Sequence, residues 1–75
     1  MNIEEYIKSE APKYDQGDIH DIAYARELRR CYGWYKDLPL ERLKDIQISV
    51  RQNHDSSHYT VAAAMILYEL IKEKT

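Results

Sequence analysis

The residues able to carry chemistry at neutral pH are few: three histidines, one cysteine and a serine pair. His54 and His58 are four apart and would share a face if both were helical, with Asp55 between them; His20-Asp21 is a second His-Asp pair. A zinc centre needs three or four convergent ligands at a recognisable spacing. His54 falls in a polar break ahead of a helix, so its spacing from His58 does not define a site, and neither a metal nor a cofactor is expected. Cys31 falls on the apolar side of a helical segment, where a thiol behaves as a small inert hydrophobe. Ser56 and Ser57 stand where a helix start needs a side-chain cap. The two glycines, Gly17 and Gly33, are 16 residues apart and build no phosphate-cradling loop. A chain of 75 residues also has little volume to spare for a pocket. These features point away from an enzyme.

The more informative pattern is a stripe. Ile19, Ala23, Arg26, Arg30 and Trp34 recur at spacings of four, three, four and four. At about 100° per residue they fall within roughly 80° of one another on a helix. Arg29 lies at their edge. Ile and Trp have no reason to sit among charges on a solvent face, and Trp and Arg are enriched in interface hot spots. Ile19, Arg26, Arg29, Arg30 and Trp34 are therefore the expected partner-binding residues. The alternative is a helix packed on both sides, with arginine stems laid over apolar surface.

The same arginines permit a nucleic-acid reading. Arg26, Arg29, Arg30, Arg42, Lys44 and Arg51 would meet phosphates, and Gln47, Gln52 and Asn53 base edges. The second and third helices would then form a helix-turn-helix pair. The connection from Gly33 to Pro39 is long for that motif, and Glu41 and Asp45 would face phosphates badly.

The elements that must position these groups read as follows. Asn2 caps a first helix, with Glu5 three residues on, and Ile3, Tyr6 and Ile7 share a face. Pro12 is expected to stop that helix by Ala11, leaving residues 12–17 as a loop. Asp18 caps a second helix, over 19–35, with Asp21 in its first turn, where the dipole favours negative charge. Its core stripe is Tyr24, Ala25, Leu28, Cys31, Tyr32 and Tyr35, and Gly33 is expected to fray or end it, unless Trp34 and Tyr35 continue it for part of a turn. Pro39 opens a third helix, over 40–52, with Leu40, Leu43, Ile46 and Val50 inward. Ile46, Ile48 and Val50 also alternate, so a strand stays open there, although no second strand is visible to pair with it. The last helix, 58–74, is apolar on every side from Val61 to Tyr68, which marks a buried element.

The expectation is thus one all-α domain over residues 1–75, a bundle of four helices (3–11, 19–35, 40–52 and 58–74) with the C-terminal helix at its centre. A chain this short buries only about 60% of the surface its unfolded form exposes. Self-association through Tyr59, Ala63, Ile66 and Leu70 would supplement such a core. The 11 basic and 13 acidic residues give a net charge of −2, no general attraction for nucleic acid or membranes. They are unevenly placed, with an acidic stretch over 1–21 and a basic one over 22–51. A single cysteine fits a reducing compartment, and an acidic start without a basic-then-apolar pattern lacks the features of a secretory leader. The longest apolar run, Val61 to Tyr68, is far short of the roughly 20 residues of a membrane span. The expected place is the cytoplasm. The expected function is a small non-enzymatic interaction module that regulates or inhibits another protein, a class that includes phage-type inhibitors of host machinery. A nucleic-acid-binding regulator and a self-assembling subunit are the alternatives.

Overall fold

The computed structural model describes residues 2–53 and 57–75. Four α-helices follow in chain order: α1 (Ile3–Asp15), α2 (Ile19–Tyr35), α3 (Leu40–Gln52) and α4 (His58–Lys74). No strand forms among the described residues. The chain is an all-α bundle with its C-terminal helix central. Both α2 and α3 pack chiefly on α4; α1 packs on α2 and touches α4 more lightly.

Local chemistry sets most of the boundaries. The Asn2 side chain accepts from the Glu5 backbone N–H at 2.8 Å. Asp18 Oδ1 accepts from the N–H groups of His20 and Asp21 at 2.9 and 3.0 Å. Ser57 Oγ accepts from the Thr60 N–H at 3.2 Å. Each cap satisfies donors that the first turn of a helix leaves without partners. Pro39 takes the capping position itself, with extended backbone and no side-chain bond, and α3 begins at Leu40. The helices α2, α3 and α4 run between the limits expected from the sequence.

The first helix does not. It continues through Pro12 to Asp15, so residues 12–15 are helical rather than loop. A proline inside a helix removes one donor, here the one that would reach the Lys8 carbonyl. Pro12 and Lys8 both lie on the exposed side, so the missing bond falls at the surface of the helix and not in the core. The opposite side is anchored. Ile3, Ile7 and Ala11 are buried, the Tyr14 ring meets Tyr24 edge-on at 5.0 Å, and Asp15 pairs with Arg29. Those contacts hold the last turn helical where local preference alone would end it.

Gly33 does not end α2 either, which runs on to Tyr35. The strand alternative for 46–50 is resolved in favour of helix. Leu43 and Val50 are buried while Ile48 between them is exposed, which is helical spacing and not alternation.

The core is formed by Ile3, Ile7 and Ala11 of α1, Ala25, Leu28, Cys31 and Tyr35 of α2, Leu43 and Val50 of α3, and Ala62, Ala63, Ile66, Leu67 and Leu70 of α4. Tyr6, Tyr14, Tyr24, Tyr32 and Tyr59 are half-buried around it, as expected of a ring with a polar tip. The expectation for α4 needs one correction. It is not enclosed all round, because three short helices cover only part of its circumference. Val61, Ala64 and Tyr68 form an open stripe, with Tyr68 53% exposed.

Long-range polar contacts tie the ends together. Glu73 Oε1 accepts from the Ile3 backbone N–H at 2.6 Å, joining the start of α1 to the end of α4. Lys74 Nζ donates to the carbonyls of Lys36 (3.2 Å) and Leu38, joining that same end to the α2–α3 connection.

Candidate protein-binding face

Because α2 packs through Ala25, Leu28, Cys31 and Tyr35, residues about half a turn away must point outward. The structure places Ile19, Arg26, Arg29, Arg30 and Trp34 all on the exposed side. Ile19 is 77% exposed and Trp34 55%. Only Ala23 of the stripe is half-buried. The alternative of a helix packed on both sides is therefore not the arrangement adopted. Ile22, adjoining the stripe, is also exposed, extending its apolar end.

The arginines differ in what they hold. Arg29 makes a two-pronged pair with Asp15, Nη1 to Oδ1 at 3.1 Å. This pair links the acidic first helix to the basic second one, and it turns Arg29 away from the stripe toward α1. Arg30 reaches Glu27 at 3.1 Å, and its guanidinium also lies over the Trp34 ring, 5.9 Å from the centroid. Such stacking on an exposed ring contributes about 0.5–1 kcal/mol and restricts both side chains before any partner arrives. Arg26 has no ion-pair partner among the described residues, so its full charge is on offer.

Trp34 is positioned from the inside. Its ring lies 6.3 Å from Tyr35 and 6.4 Å from Tyr59 of α4, and those two tyrosines meet hydroxyl to hydroxyl at 2.7 Å. Burial pushes the Tyr35 hydroxyl well above the ordinary phenol range, with the Tyr59 hydrogen bond adding to the effect. The Trp34 side chain thus leans on a fixed aromatic base while more than half of it stays open. The sequence points to Tyr59 only as a self-association residue and not as part of the Trp34 face; its place beside Trp34 depends on which helix packs there, and no local pattern reveals that.

The surface proposed for self-association is not a surface. Ala63, Ile66 and Leu70 are fully or nearly fully buried in the chain's own core, and Tyr59 is half-buried with its hydroxyl bonded to Tyr35. The neighbouring helices already occupy that side of α4.

The remaining chemistry-bearing groups are placed as follows. Cys31 is buried, which pushes its thiol up to about 11; at neutral pH it stays protonated and unreactive. His54, Asp55 and Ser56 lie outside the described residues, and with them the His54–His58 pair. His58 instead meets His20, with His20 Nδ1 and His58 Nε2 3.4 Å apart. The helix-turn-helix arrangement is not formed in the expected way, because α2 and α3 each pack on α4 and make little or no direct contact with each other. No pocket opens among the described residues, and no helix among them is long and apolar enough to cross a membrane. No protein-family model, curated protein or solved structure matches the chain.

Proposed function

We propose that this chain is a non-enzymatic protein-binding module that docks the outer face of α2 onto an acidic, apolar-bearing surface of another protein and so regulates or inhibits that partner. The observation that carries the reading is the exposed Trp34 ring, stacked by Arg30 and backed by Tyr35 and Tyr59. An indole left more than half in water while its edges are held in place is a preformed anchor, and preformed anchors lose little entropy on binding. Ile19 supplies a second apolar contact at the far end of the helix. Arg26 and Arg30 between them match acidic groups and disfavour basic surfaces. Arg29 stands at the margin, since Asp15 already holds it.

The test uses the whole chain as bait in a lysate of its source organism, beside the double variant Trp34→Ala, Arg30→Ala. A partner retained by the native chain and lost by the variant, with helical circular dichroism unchanged, is the expected result. Hot-spot truncations cost about 2 kcal/mol or more each, so affinity for the purified partner should fall by at least about a hundredfold. Equal retention by both proteins would remove this face from the function. Binding to mixed DNA or RNA that weakens steeply with salt would replace the reading with the nucleic-acid one.

A further inference from the structure

The imidazoles of His20 and His58 come from helix starts 38 residues apart and meet with 3.4 Å between Nδ1 of the first and Nε2 of the second. Their rings are 5.4 Å apart at the centroids and tilted by 33°. That nitrogen separation has a second meaning. Two imidazoles bound to one tetrahedral zinc ion, each at 2.0–2.1 Å, stand about 3.4 Å apart. We infer that His20 and His58 form a two-imidazole clamp for a divalent transition cation of the zinc type, joining the start of α2 to the start of α4.

Three features of the place fit a cation. His20 is exposed and His58 half-buried, so an ion and its remaining waters have access from solvent. Asp18 lies close enough to feel both imidazoles, and hydrogen bonds from the backbone N–H groups of Asp21 and His20 help keep its carboxyl ionised. Its negative charge offsets the positive helix ends that would otherwise repel an ion. Neutral imidazole is also the ligand that zinc, nickel and copper share, with affinity rising along that series to copper. In the metal-free pair one ring donates an N–H to the other. Binding requires that ring to carry its proton on its other nitrogen, so neutral rings release none.

No group of three or more His, Cys, Asp or Glu side chains converges on a metal-holding position among the described residues. The site therefore supplies two protein ligands and leaves the other positions to water, which makes it weaker than a structural zinc centre and reversible. An ion there would cross-link α2 to α4 beside Ile19, at one end of the binding stripe, and would stabilise the folded chain because the unfolded one separates the two ligands.

The test is titration of the full chain with Zn2+ alone, and with Ni2+, read by calorimetry and by the imidazole proton resonances of His20 and His58. One ion per chain is expected, with both sets of resonances moving together and the melting temperature rising with Zn2+ concentration. His20→Ala and His58→Ala should each lower the affinity by about tenfold or more, the scale at which even indirect ligand supports act. Circular dichroism checks that each variant is still helical, and the resonances of the native chain give the same answer without any variant. Resonances of His20 and His58 that stay in place at saturating Zn2+, or affinity unchanged in either variant, would overturn the inference.

Discussion

The hydroxyls of Tyr35 and Tyr59 meet at 2.7 Å, joining the last residue of α2 to the second residue of α4. Tyr35 is buried, with only 8% of its surface exposed, so little of it is open to a solvent molecule that could replace a lost partner. Tyr59→Phe should therefore destabilise the fold by about 1 kcal/mol, since it leaves a buried hydroxyl unsatisfied. Tyr35→Phe combined with Tyr59→Phe should cost less than the sum of the two single changes, because the pair is removed together. Urea unfolding of the three variants measures this. Strict additivity would mean that the two hydroxyls do not interact.

Gly33 is helical, exposed and two residues from the end of α2. A methyl group added there meets nothing within 4 Å. Gly33→Ala should stabilise the chain by about 0.5–1 kcal/mol, through the smaller backbone entropy of the unfolded state. For a chain of this size that corresponds to a rise in melting temperature of about 4–8 °C per kcal/mol. Thermal unfolding followed by circular dichroism is the check, and a lower melting temperature would show that α2 does not continue past this position.

The acid limb of stability should report Asp15 and Asp18. The hydrogen bond from the Arg29 guanidinium holds the Asp15 carboxyl below the usual carboxylate range, and the Asp21 backbone N–H does the same for Asp18. A carboxyl whose folded pKa is depressed contributes stability that is complete above its unfolded pKa, about 3.9, and is lost as pH falls through the folded value. Stability should thus decline below about pH 4. Asp15→Asn should lower the stability plateau above about pH 4 and so make the decline into acid shallower, the two proteins converging at low pH. Urea midpoints measured from pH 2.5 to 7 decide it; an identical slope in the variant would mean the Asp15–Arg29 pair does not form in solution.

Cys31 should resist alkylation in the native state. Its side chain is buried in the core and its thiol is pushed up to about 11, so at pH 8 it is neither accessible nor ionised. Iodoacetamide labelling followed by mass spectrometry should proceed in 6 M guanidinium at the rate of a free thiol, and at least about a hundredfold more slowly without denaturant. Comparable rates in both would place Cys31 on the surface.

The sequence by itself determined the class of fold and three of its four helices. Asp18 and Ser57 mark helix starts through caps that need only neighbouring backbone N–H groups, Pro39 marks a third, and the spacing of Leu28, Cys31 and Tyr35 or of Leu43 and Val50 dictates which side turns inward. The outward side follows from the same geometry, which is why Ile19, Arg26, Arg30 and Trp34 could be named as one face. Tertiary structure decided the rest. Local preference ends α1 before Pro12, yet packing of Ala11, Tyr14 and Asp15 on α2 carries it to Asp15. The apolar run from Val61 to Tyr68 says that α4 is central; only the number and angle of its neighbours leave Val61, Ala64 and Tyr68 open while Ala63, Ile66 and Leu70 are enclosed. The meeting of His20 with His58, and of Tyr59 with Trp34, joins residues 38 and 25 positions apart. Periodicity reaches a few turns along one helix. Contacts between helices depend on how the whole chain closes, and both proposed sites rest on such contacts.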